Sequence, residues 1–161
     1  MIVVVADTSP LNYLIQIGCD HILPALYERV HVPAAVVEEL HHPGTVTAVR
    51  TWLAHVPPWL VIERVEEPAD PALARLDEGE RQAIQLAQRA HADLVLMDEK
   101  LGVRIARARG LSVTGTLGVL LQAARRGFVD FERSLSNLQT TDFRCSPRVM
   151  EEVRHQAKTS T

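Results

Sequence analysis

The sequence predicts an α/β fold: a central parallel sheet covered by helices on both faces, in one three-layer α/β/α domain. Three observations point there. Two short apolar runs, the β-branched Ile2 to Ala6 and Leu94 to Met97, lack the apolar/polar alternation of a half-solvated strand and suit strands buried on both faces. Helix-period segments separate the extended ones, and strands alternating with helices imply a parallel sheet with covered faces. Two of the runs end directly on an aspartate, Asp7 and Asp98, at the strand ends where open α/β sheets bind ligands.

The elements follow in order. After the first strand, Asp7-Thr8-Ser9-Pro10 reads as a helix start, with Thr8 or Ser9 as cap and proline in the first turn, and the helix runs to about Ile17. A short helix over about His21 to Arg29 precedes the strand Val30-His31-Val32. Pro33 opens a helix that ends near His42-Pro43-Gly44. A helix within Thr45 to Leu60, anchored by Trp52 and Leu53, stops at Pro57-Pro58, and Leu60-Val61-Ile62 suits an edge strand. Glu66 to Pro71 is a polar connection. Asp77 to about His91 is a helix, Leu94 to Met97 a buried strand, Leu101 to Arg109 a helix and Leu111 to Val113 a strand. Thr116 caps a helix to about Arg126, closed by Gly127. Residues 127–156 read as an extension, with a short extended piece and a helix from Pro147 to about Gln156, and residues 157–161 as a frayed tail.

At 161 residues the chain suits a single domain able to bury a real core. Its 47% apolar and 23% charged residues are those of an ordinary globular protein, which excludes disordered and fibrous classes. The net charge of −3 hides an asymmetry: residues 1–97 hold 6 Lys and Arg against 13 Asp and Glu, and residues 98–161 hold 11 against 7. An acidic half beside a basic half suits a protein that holds a cation while touching a polyanion. Cys19 and Cys145 lack any short metal-ligand spacing and read as reduced, part-buried thiols. The apolar start lacks a positively charged n-region and no apolar run is long enough to span a bilayer, so the expected location is the cytoplasm.

Four carboxylates carry the functional signal: Asp7, Glu39, Glu80 and Asp98. Gathered in one cleft, each would oppose the others' ionisation, and a divalent cation is the natural partner. Helical geometry at about 100° per residue separates neighbours. Glu39 falls about 105° from the apolar centre of its helix and Glu38 about 155°, so Glu39 borders the buried face. Glu80 projects with the apolar stripe of Ala83, Ile84 and Ala87, whereas Glu78 points away. Structural alternatives stand beside each role. Asp7 and Asp98 are placed to cap the following helices, and Glu80 to close a capping box with Asp77.

Five blocks, in order, resemble PIN-domain proteins: Ile2-Val-Val-Val-Ala-Asp7-Thr-Ser9-Pro-Leu11; Val32-Pro-Ala-Ala-Val-Val-Glu-Glu39-Leu40; Leu76-Asp-Glu-Gly79-Glu80-Arg-Gln-Ala-Ile84-Gln-Leu-Ala87; Ala92 to Asp98; and Gly110-Leu-Ser-Val-Thr-Gly115-Thr-Leu-Gly118-Val-Leu. The resemblance covers residues 2 to 126 and is greatest to the compact prokaryotic branch of VapC-type toxins. It implies a metal-dependent ribonuclease, with Asp7, Glu39, Glu80 and Asp98 as the acidic quartet for Mg²⁺ or Mn²⁺. Thr8 and Ser9 match small hydroxyl residues, Ser9 as an aid in orienting a carboxylate or water. Asp98-Glu99-Lys100 departs from the hydroxyl-rich approach and trailing aspartate of the pattern, which leaves Glu99 as a supporting residue. The resemblance also implies RNA as substrate, a cognate antitoxin as partner and a homodimer.

Other features bear on the same reading. Lys100, Arg104 and Arg107 recur along one side of the helix after Asp98 and suit phosphate contacts, or a solvated helix face. His41-His42 lie at a helix end where cations suit the dipole. Leu11, Leu14, Ile15 and Leu40 fit either core or a partly exposed groove for a second copy or an antitoxin. An aspartyl-nucleophile phosphatase would want a second acid two residues after Asp7, where Ser9 stands. A receiver module would want an acidic pair, and Asp7 has Ala6 and Thr8 beside it. A PIN fold that binds without turnover is the non-enzymatic alternative.

Overall fold

The structure is a computed structural model and describes residues 2–159. Five strands, β1 (Val4–Ala6), β2 (Val30–Pro33), β3 (Leu60–Glu63), β4 (Leu94–Leu96) and β5 (Val113–Thr114), form one parallel sheet in the order β3-β2-β1-β4-β5. Around it lie α1 (Thr8–Gln16), α2 (Ile22–Tyr27), α3 (Ala34–Leu40), α4 (Thr47–Leu53), α5 (Glu78–Arg89), α6 (Lys100–Ala108), α7 (Thr116–Arg125), α8 (Phe131–Gln139) and α9 (Pro147–Lys158).

The period of two in the strands separates the layers. Val4 and Ala6 enter a core with Leu11, Leu14, Leu120 and Leu135, from α1, α7 and α8. Val5, Val95 and Met97 enter the opposite core with Ile84, Leu86 and Ala106, from α5 and α6. The chain builds β1, β2 and β3 toward one edge and then returns to the other side of β1 for β4. The reversal between β1 and β4 is the topological switch point of the sheet, where ligand crevices open. Register Ala6 to Leu96 puts Asp7 and Asp98 just beyond it, and the Asp7 amide continues the pairing by donating to the Leu96 carbonyl at 2.9 Å.

Several sequence expectations are corrected. Thr8 and Ser9 are the first residues of α1 rather than its cap; Asp7 is the cap residue, without a side-chain cap bond. The last strand is Val113–Thr114, not 111–113, because its pairing with Val95 and Leu96 fixes the register two residues later. Gly115, not Thr116, is the cap residue of α7. Residues 128–146 are not merely extended: Asp130 accepts from the Arg133 amide at 2.9 Å and starts α8, whose Phe131, Leu135 and Leu138 are buried. The tail is helical through Lys158, while Ser160 and Thr161 lie outside the described residues. Leu11, Leu14, Ile15 and Leu40 are core, at 0 to 7% exposure, so they offer no groove to a partner.

Gly127, at φ 77°, closes α7 in the left-handed region that glycine alone enters cheaply. Both cysteines are free, Cys19 buried and Cys145 half-buried. Among the described residues no helix is long and apolar enough to cross a membrane.

Candidate acidic metal centre

Asp7 is the most enclosed of the four acids, 4% exposed, because it follows a strand buried on both faces. Its Oδ1 is a buried oxygen with no hydrogen-bond partner. Burial raises its pKa to about 8; the Thr8 amide opposes the shift, and the charges of Asp77, Glu80 and Glu39 add to it. An unsatisfied oxygen surrounded by other acids is costly to ionise and suits a site completed by a cation.

Glu39, at the exposed end of α3, is drawn toward Asp7 by Thr8, whose hydroxyl donates to Glu39 Oε2 at 2.8 Å. The Thr8 hydroxyl thus orients a carboxylate. Glu38 lines one surface hollow with Glu39, Asp77 and Gly79 and a second with Arg64 and Glu66, but it does not share the Thr8 hydroxyl that holds Glu39.

Glu80 closes a capping box with Asp77. The Glu80 amide donates to Asp77 Oδ1 at 2.8 Å, and Glu80 Oε2 accepts from the Asp77 amide at 3.3 Å. Burial, followed by the charge of Asp77, pushes Glu80 up to about 7, with a further contribution from Glu99. The capping and acidic-site roles therefore coexist, since the carboxyl that serves the cap also acts on Asp7.

Gly79 shows how tightly this corner is drawn. A Cβ there would stand 2.9 Å from Glu39 Oε2, 3.3 Å from Thr8 Oγ1 and 3.5 Å from Asp7 Oδ1. Glycine leaves open the space between the three side chains. We expect Gly79→Ala to stabilise helix α5 by up to about 1 kcal/mol through helix propensity. By displacing the Glu39 carboxylate it should lower metal-dependent activity roughly 10–100-fold, the usual cost of disturbing a ligand's support. Thermal melts alongside a rate assay check both signs.

Asp98 stands at the neighbouring strand end and is held differently. Its Oδ1 accepts from the Thr116 amide at 2.8 Å and its Oδ2 from the Thr116 hydroxyl at 2.7 Å. Burial raises its pKa and the two Thr116 bonds oppose the rise. It caps α7, not the helix that follows it: the cap of α6 is Glu99, which accepts from the Gly102 amide at 2.7 Å. Thr116, Gly79 and Gly115 were not singled out as site residues from sequence; the only signal was that a hydroxyl and two glycines stand in the blocks that carry the acids.

Among the described residues no three acidic, histidine or cysteine side chains form a ready-made metal shell. The structure gathers Asp7, Glu39 and Glu80 with Asp77 into one electrostatic cluster and sets Asp98 at the adjacent strand end. Thr8 holds Glu39 and Thr116 holds Asp98, each through its hydroxyl. Oxygen donors with one orphaned and three otherwise engaged fit a hard cation, Mg²⁺ or Mn²⁺, that is bound through a few carboxylates and keeps several waters. Lys100, Arg104 and Arg107 are exposed on α6 and line a hollow with Asp98.

Comparison with known proteins gives a consistent fold. A family model described as a PIN domain matches residues 3–159. Among solved structures, a PilT N-terminus domain protein from the hyperthermophilic archaeon Sulfolobus solfataricus P2 superposes with a TM-score of 0.55 at 15% identity, covering 74% of this chain and 92% of that one. A search of curated proteins found no match.

Proposed function

Because the family match spans nearly the whole chain, the protein belongs to the PIN-domain family, and we propose that it is a Mg²⁺- or Mn²⁺-dependent endoribonuclease. PIN domains are generally nucleases that use divalent metals. The observation that carries the reading for this chain is Asp7: a buried carboxyl with an orphaned oxygen, ringed by acids at the switch point of the sheet. Asp7, Glu39, Glu80 and Asp98 are the residues that would hold the ion.

When bound, the ion would supply Lewis-acid stabilisation of the scissile phosphate and lower the pKa of an attacking water. The chain's own groups do the rest. Thr8 and Thr116 orient Glu39 and Asp98 by their hydroxyl bonds. Glu80, whose metal-free pKa burial raises to about 7, would give up its proton on joining the ion's ligands. Lys100, Arg104 and Arg107 beside Asp98 suit the phosphates of the flanking chain. RNA as the polymer, and a role as the toxin of a type II toxin–antitoxin pair acting as a homodimer, rest on the five-block resemblance; a small antitoxin-like reading frame beside the gene would support the toxin role.

The test is cleavage of single-stranded RNA with added Mg²⁺ or Mn²⁺, comparing the unaltered protein with Glu80→Gln. Gln keeps the capping box, so the melting temperature should stay within a few degrees. Replacing a ligand should cost more than the roughly 10–100-fold of an outer-shell change. Cleavage independent of added metal, or undiminished in the variant, would contradict the proposal.

A further inference from the structure

The cavity that reaches Asp98 has a second half that the acidic centre does not use. It encloses about 540 Å³ between α6, the start of α7 and residues 143–149, within the roughly 300–1,000 Å³ typical of small-ligand sites. One wall is apolar: Val103, Val113, Leu117 and Val149, the last 41% exposed although it faces a hollow. The rim carries Lys100, Arg107 and Arg144, and among the described residues none of the three forms an ion pair with a carboxylate.

The C-terminal wall is fixed in place. The Tyr13 hydroxyl of α1 donates to Asp142 Oδ1 at 2.8 Å, and its ring meets Phe143 edge-on with centroids 5.1 Å apart. Ser146 then caps α9 by accepting from the Val149 amide at 3.2 Å. These contacts hold Arg144 and Val149 opposite Val103 and Arg107. An apolar slot rimmed by three cations without carboxylate partners, Arg107 resting on the Val113 carbonyl at 3.4 Å, and opening beside a strand-end carboxylate has the complement of one chemical class: a flat, weakly polar ring joined to phosphates.

We propose that this cavity is a nucleotide subsite, taking one unpaired base of a single-stranded substrate against Val103, Val113, Leu117 and Val149, with Lys100, Arg107 and Arg144 on the adjoining phosphates. The proposal rests on the nuclease reading and adds to it a specificity element built by the C-terminal extension. Base readout in single strands comes from such splayed-out, unstacked nucleotides.

Binding of a fluorescein-labelled hexaribonucleotide to the full chain, by anisotropy in EDTA so that no metal-dependent cleavage occurs, tests it. Arg107→Ala/Arg144→Ala should bind at least roughly 10-fold more weakly, with a salt slope shallower by about 0.7 per lost phosphate contact. Val149→Trp, which fills the slot and leaves the charge unchanged, should weaken binding about 5-fold or more, in the range expected for losing one base contact. An abasic hexamer should compete poorly. Equal binding by both variants would overturn the subsite, and an abasic competitor as good as the intact one would overturn the base slot. If metal-dependent cleavage persists while both variants bind and cleave normally, the subsite fails and the nuclease reading stands. If the hexamer binds as described but no metal supports its cleavage, the nuclease reading fails and the subsite stands.

Discussion

Replacing Asp7 by Asn should stabilise the metal-free fold at pH 8 to 9 while abolishing metal-dependent cleavage. Asp7 is ordinarily a group of pKa 3.8, and burial among other acids raises it to about 8. The folded protein therefore holds this proton more tightly than the unfolded chain. The stability it contributes is complete below the unfolded value and is lost as pH climbs through the window from about 4 to about 8. The loss approaches roughly 1.4 kcal/mol per pH unit within that window. Asn is neutral at every pH and nearly isosteric, so the variant and the unaltered protein should melt alike at about pH 4 and diverge progressively up to about pH 8, the variant being the more stable. Glu80, raised to about 7, tilts the profile in the same direction and remains in the variant. The difference between the two profiles is thus the signature of Asp7. Thermal melts from about pH 4 to 9 in EDTA read it, and profiles that stay parallel between about pH 4 and 8 would contradict a buried, proton-holding Asp7.

The second large effect lies across the switch point. Gly115→Ala should displace Asp98. A Cβ at Gly115 would stand 2.5 Å from Asp98 Oδ1 and 3.5 Å from the Met97 carbonyl. The backbone there, at φ −99°, is ordinary, so the substitution strains nothing else locally. The carboxylate cannot yield without breaking the bonds to the Thr116 amide and hydroxyl. Hydrogen bonds to a charged group contribute roughly 1.5–3 kcal/mol each, so a loss of about 3–6 kcal/mol in stability is expected if both break. Activity should fall at least roughly 10-fold, as for other disturbed supporting shells. Thr116→Val, which removes the hydroxyl bond alone, should lie between the two. Denaturant melts and initial rates on the three proteins test the ordering; an unchanged rate in Gly115→Ala would mean that Asp98 serves only to cap α7.

The sheet was legible because its central strands are short, continuously apolar and acid-terminated: Ile2 to Asp7 and Leu94 to Asp98 announce both burial and the strand end. Helical angles distinguished Glu39 and Glu80 from their neighbours, and the structure sets both near Asp7. What escaped depends on partners distant in sequence. The last strand moved to Val113–Thr114 because only pairing with β4 fixes its register. Helix α8 carried a legible signal, Asp130 before Phe131, Leu135 and Leu138, that the following turn residues obscured. Thr116 looked like a helix cap, and nothing local could reveal that its hydroxyl turns to Asp98, 18 residues back. The same holds for Gly79, whose missing side chain matters only because Asp7, Thr8 and Glu39 arrive from other elements.

In the proposed function these acids together hold a divalent cation. Calorimetric titration of the protein with Mn²⁺ at pH 7, repeated in buffers of different ionisation enthalpy, tests it most directly. Asp7 at about 8 and Glu80 at about 7 are largely protonated and half protonated there, and cation binding must drive those protons off. Saturable Mn²⁺ binding with release of about one proton or more is expected, and loss of both in Asp7→Asn. Binding without proton release, or binding unchanged in Asp7→Asn, would contradict it.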